Sequence, residues 1–217
     1  LVKNGRIAEK GIDLSAAGDV AVIEVAGCVL LPGLVDAHTH LDKTLIGTPW
    51  HPHSAGERLI DLINNERRVL KELGLDPALQ SRRMVHHMLE RGTTAIRSHV
   101  DIGTDIGLRH FHGVAATREA CADLVAIQIV AFPQTGMMIL PGVADLMEQA
   151  IKEGAEVVGG LDPIGIDRDP RGQLDAIFAI AERHGCEIDI HLHDLGEMGA
   201  ITIEMIAERT AALGLNS

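Results

Sequence analysis

The chain has 217 residues, and its 19 Lys plus Arg against 31 Asp plus Glu give a formal net charge of −12. That deficit of cations excludes a binder of nucleic acid or of anionic membrane, since both present phosphates that need neutralising. With 46% hydrophobic residues, 3 Phe, 1 Trp and no Tyr, the chain can bury one sizeable core, and that core must be aliphatic.

Residues 1–28 read as short antiparallel strands that stand apart from the rest of the chain, and residues 29–217 as the main domain. The first long strand is expected over Val29–His40. A helix over Ser54–Leu73 comes next, opened by a capping box of Ser54 and Glu57. A second helix, Pro77–Arg91, has Asp76 as N-cap and Pro77 at its first position. Strand-like runs then begin at Thr93, Leu124, Glu156 and Cys186, at intervals of 31, 32 and 30 residues. They extend to Asp101, Phe132, Pro163 and Asp194. Between and after them, Val143–Ile151, Leu174–Ala181 and about 198–213 carry apolar residues at helical spacing. Asp169-Pro170 repeats the N-cap and proline signal. Strand and helix alternating at this interval predict βα units on a parallel sheet. Cys28, Cys121 and Cys186 are an odd number without CxxC spacing, so a reducing, cytoplasmic setting is expected.

Alternation along the strands separates an apolar phase from a polar one. The polar phase holds Asp36, His38 and His40 in the first strand, and Arg97, His99 and Asp101 in the second. It holds Gln128 in the third, and Glu187, Asp189, His191 and His193 in the fifth. Polarity rises toward the C-terminal strand ends, where α/β folds place their sites. His38 and His40, two apart on a strand, point the same way and can reach one ion at about 2.0–2.1 Å. His191 and His193 repeat that spacing, and Asp194 comes next, where a loop acid can reach a water on the ion. Each signal has a plainer reading beside it. The histidines could be satisfied core residues, Asp194 the N-cap of the last helix, Gln128 a core amide and Lys43 a solvated loop lysine. His99 and Asp101 could be site groups or partners of Arg97. His51, His53, His86, His87, His110, His112 and His184 read as surface or helix histidines.

LPGLVDAHTHLDKT, RSHVD, IQIVAFPQ and DIHLHDLGEMG, in that order, resemble the amidohydrolase superfamily, and within it the branch of cytosine deaminases and N-isopropylammelide isopropylaminohydrolase-like enzymes. The resemblance runs from about Val29 to the C-terminus. It implies a (β/α)8 TIM-type barrel of which about five βα units are present, with residues 1–28 as the N-terminal share of a small β-sandwich. It also implies His38, His40 and His191 as metal ligands and Asp194 as the catalytic acid, shorter than the family's Glu. Gln128, Lys43 and His193 are implied on the substrate. GLDP in the fourth strand holds no lysine to bridge two metals, so one divalent ion is implied, zinc before iron. The implied reaction is hydrolysis of a non-peptide C–N bond, deaminating or dealkylaminating a small nitrogen heterocycle through a metal-generated hydroxide. The alternatives are a hydrolase of cyclic amides or imides, and an inactive barrel fragment. The family's sixth-strand His and eighth-strand Asp have no counterpart before Ser217. A missing C-terminal half, or a homo-oligomer that completes the barrel, is therefore expected.

Overall fold

The computed structural model describes residues 1–12, 14, 18, 20–52 and 54–214. Two compact units divide at Pro32 and Gly33. In the first, β1 (Val2–Lys3) and β2 (Arg6–Ile7) form an antiparallel hairpin in which Val2 faces Ile7. Asn4 and Gly5 turn it, both at positive φ (53° and 70°), as a two-residue hairpin loop demands. Among the described residues of this unit it is the only strand pair.

The second unit is a parallel sheet with helices. Its strands are β3 (Leu34–Thr39), β4 (Thr93–Asp101), β5 (Ala126–Phe132), β6 (Val157–Leu161) and β7 (Glu187–His191). Each pairs with the next in chain order. An order without reversal is that of a sheet curling toward a barrel rather than a doubly wound sheet. A 3-10 turn, Leu41–Lys43, leaves β3, followed by α1 (Leu59–Leu73) and α2 (Pro77–Leu89). α3 (Arg109–Ala120), α4 (Val143–Lys152), α5 (Pro170–His184) and α6 (Glu197–Ala212) come after β4 to β7 in turn.

Asp76 accepts from Ala78 N and Asp169 from Gly172 N, so both predicted N-caps form. The Ser54–Glu57 capping box does not. α1 begins at Leu59, where Arg58 pairs with Asp61 at 2.7 Å, and the Ser54 hydroxyl bonds Asn65 Oδ1 instead. β3 starts five residues later than expected because Pro32 cannot donate to a ladder. Pairing begins when Leu34 N donates to Gly92 O. The apolar phase of the strands packs outward: Val100, Ile129 and Val158 meet Phe111, Val114, Met147, Leu174 and Ile177 of the helices in one core. The polar phase lines the inside of the curl.

Candidate active site and metal centre

The curl brings the histidines of the first and last strands of the sheet together. Ring nitrogens of His38 (β3), His99 (β4) and His191 (β7) all lie within 4.8 Å of one another. His38 Nε2 faces His191 Nε2 at 3.1 Å. The His99 ring centroid is 4.5 Å from those of both His38 and His191. His40 stands just outside this trio, 5.6 Å from His38 and 5.8 Å from His191 by ring centroids. The structure therefore gathers all three expected histidines but puts His99 into the closest set. The reason is the sheet: β4 neighbours β3, and alternation turns His99 to the same face.

The donor set fits a divalent cation. Two imidazole nitrogens 3.1 Å apart need a shared proton or a shared cation between their lone pairs. His40 Nδ1, His191 Nδ1 and His99 Nδ1 are buried without a hydrogen-bond partner. Burial and the nearby Lys43 charge lower His40 to about pKa 3. Burial and the adjoining rings lower His191 to about 4. Both imidazoles are thus neutral near pH 7, the form that ligates a metal.

Below the histidines lies an ionic layer. Arg97 donates to Glu187 Oε2 and Asp189 Oδ2, each at 2.9 Å, and to Gln128 Oε1 at 2.7 Å. Asp189 Oδ1 sits 3.3 Å from His99 Nε2. The His99 imidazole and then Arg97 hold Asp189 down to about pKa 2, against the burial that would raise it. Gln128 belongs to this layer. It pairs in register with Arg97, two residues before the His99 level, and its carbonyl is occupied by the guanidinium. The amide at the strand ends is that of Gln134, whose Oε1 accepts from Lys43 Nζ and whose Nε2 donates to Glu66.

Lys43 is no solvated loop residue. Its side chain is only 7% exposed and lies 3.1 Å from both Asp101 and Glu66. Burial alone would lower its pKa, but the carboxylates of Asp101, Asp42 and Glu66 outweigh burial and raise it. Burial pushes Asp101 up to about 7 although Lys43 pulls the other way. Asp42 accepts from Asp101 N at 3.1 Å and pairs at 2.8 Å with His110, a helix histidine that proves to be buried. His53 lies outside the described residues. Beside Lys43, Phe132 packs with Ile63 and Leu161 as an apolar wall against the His191 ring, 4.5 Å away.

His193 and Asp194 leave β7 together. Asp194 does not cap α6, whose N-cap is Gly196 without a side-chain bond. Its Oδ2 instead accepts from Gly165 N at 3.1 Å, in the loop after β6. That loop comes close because Gly165 has no Cβ, which would collide with the Asp194 carboxylate. The His193 ring lies 5.9 Å from the ring of His191.

The amidohydrolase family profile matches residues 21–217. The chain belongs to the amidohydrolase family. It is 28% identical over 242 residues to N-isopropylammelide isopropyl amidohydrolase of Pseudomonas sp. (strain ADP), covering 99% of this chain and 58% of that protein. The solved N-isopropylammelide isopropylaminohydrolase of Burkholderia multivorans superposes with a TM-score of 0.81 at 45% identity, over 90% of this chain and 51% of the other. The 5-methylcytosine deaminase of Klebsiella pneumoniae liganded with 5-fluorocytosine gives 0.72 at 26%, over 92% and 50%. The chain thus spans about half the length of these amidohydrolases, and its sheet is a TIM-type half-barrel. A pterin deaminase of Rhizobium rhizogenes is 28% identical over 201 residues, covering 89% of this chain and 44% of that protein. No helix among the described residues is long and apolar enough to cross a membrane.

Gln134 closes the IQIVAFPQ motif, but neither it nor Glu66 or Asp162 stands in the polar phase that strand alternation picks out. Gln134 and Asp162 each come just after the end of a strand, at positions 134 after Phe132-Pro133 and 162 after Leu161. The rule that sites gather at C-terminal strand ends finds both once it is applied to every strand. Glu66 lies in mid-helix and carries no such signal.

Proposed function

We propose that this amidohydrolase uses one divalent metal ion, zinc before iron, to hydrolyse a C–N bond that joins an amine to a small nitrogen heterocycle. The convergence of His38, His99 and His191 within 4.8 Å, with orphaned nitrogens around it, carries this reading. His38, His99 and His191 would hold the ion, with His40 adjoining; the bound ion supplies a water acidic enough to be deprotonated near pH 7. Asp194, whose carboxylate is held by Gly165 N, would take up a proton and deliver it to the departing nitrogen. Lys43 and Gln134 present cationic and amide groups to the polar edge of the ring, and His193 a ring nitrogen. Gln128 acts beneath them by holding Arg97. Phe132, Ile63 and Leu161 cover the ring and exclude water. Three free thiols support a reducing, cytoplasmic setting. Further βα units, pairing with β7 and closing on β3, would complete the barrel.

The test uses the full-length metal-loaded protein. Aminopyrimidines, N-alkylaminotriazines and cyclic imides are offered while ammonia and alkylamine release is followed, and bound metal is counted. The expected result is amine release from an aminated ring and near-stoichiometric metal that is lost from the His38/His99/His191 triple alanine variant. Metal retained by that variant, or turnover of cyclic imides alone, overturns the reading.

A further inference from the structure

Asp162 is the residue that ties the end of β6 to the end of β7. It comes directly after Leu161, which pairs in register with His191. It is 2% exposed and one of three non-glycine described residues at positive φ, here 34°. A left-handed aspartate is strained, and such strain persists only where surrounding bonds enforce it. Here they do. Asp162 N donates to His191 O at 3.0 Å, so the backbone at the candidate ligand is held. Its Oδ1 accepts from His193 N and, at 3.0 Å, from Asp194 N. Its Oδ2 lies 3.1 Å from His193 Nδ1. One buried carboxylate therefore engages three groups on two successive residues, and among the described residues no Lys or Arg pairs with it.

The chemistry of that contact is directional. A carboxylate only accepts, so the neutral His193 ring must carry its proton on Nδ1 and leave the Nε2 lone pair free. The His193 side chain is half exposed, with its ring 5.9 Å from that of His191, so Nε2 belongs to the mouth of the site. We propose that Asp162 is a positioning residue, which locks His193 as a hydrogen-bond acceptor and fixes the backbone from which Asp194 projects. On the hydrolase reading, the substrate class is then restricted to heterocycles presenting an N–H donor to His193 Nε2. Only this last step rests on that reading.

The test is long-range 15N–1H spectroscopy of the full-length, metal-loaded protein labelled at histidine, at about pH 8.5, where a histidine ring carries a single proton. The His193 signals are assigned by their loss in His193→Gln. Wild type is expected to show His193 as one fixed tautomer with the proton on Nδ1. Asp162→Asn keeps an oxygen for the two backbone N–H groups but offers an NH2 to the ring. It is expected to move the proton to Nε2 while bound metal stays unchanged. A wild-type ring protonated on Nε2, or one exchanging between both forms, overturns the assignment without any variant. So does an unchanged His193 pattern in a folded Asp162→Asn protein. A correct tautomer together with no release of amine from any aminated ring leaves Asp162 in its role and removes the hydrolase reading instead.

Discussion

A buried lysine flanked by three carboxylates makes a sharp case at the scale of single residues. Lys43 is the cation that lets Asp101 and Glu66 sit beside the histidines, and Asp42 is close behind. Lys43→Met removes that cation and leaves buried carboxyl groups facing one another. Breaking a buried pair from one side costs about 3–5 kcal/mol. The lower end, about 3 kcal/mol, is expected here because Asp101, already pushed up to about 7, can escape by binding a proton. A carboxyl whose folded pKa is raised is stabilising on the acid side and loses that contribution as pH rises. The destabilisation in urea melts should therefore be larger at pH 8 than at pH 5.5, and an equal loss at both would contradict this explanation. At this scale the sequence spoke unevenly. His38, His40 and His191 were readable because alternation on a strand fixes the side to which a ring points. Gln128 shares that alternation, but phase does not report depth along the strand. Depth is what set Gln128 against Arg97 and Gln134 beside Lys43.

Among elements, close approach decides what each position tolerates. β5 and β6 meet at Gly159, where an added Cβ would lie 2.6 Å from the carbonyl oxygen of Ala131. Backbone cannot yield there without parting the strands. At Gly160 the Cβ would also find an atom at 2.6 Å, but that atom is Cδ1 of Ile177, the end of a side chain with other rotamers. Gly159→Ala should cost about 2–3 kcal/mol in chemical denaturation, the upper part of the overpacking range, and Gly160→Ala clearly less. Equal losses would show that the strands can spread. The β4 bounds and the caps at Asp76 and Asp169 were legible because they depend on a few neighbouring residues. The start of α1 was not. Its first turn is held by Arg58 and Asp61, while Ser54 is drawn to Asn65, eleven residues away.

For the whole molecule, the histidine cluster links stability to pH. His40 and His191 are neutral when folded, with pKa values lowered to about 3 and 4. Unfolded histidines take up protons near pH 6.5, so the unfolded chain binds more protons below that value. Their contribution is present above about pH 6.5 and is lost as the pH falls toward 4. Asp101 works in the opposite sense, since its raised pKa favours the folded state on the acid side. Two imidazoles against one carboxyl leave these groups with a net loss on acidification. Metal-free full-length protein should thus unfold at lower urea at pH 5 than at pH 7.5, and His40→Gln should flatten the difference. An unchanged slope in that variant would show that His40 is not held neutral by the fold. The sequence by itself determined the βα alternation, the parallel class of sheet and the polar phase of each strand, because these depend on periodicity and turn chemistry within short windows. The tertiary structure alone decided which rings meet. His38 and His191 are 153 residues apart and lie on opposite edges of the sheet. Only the accumulated twist and curl of five strands closes that distance, and no local pattern encodes it.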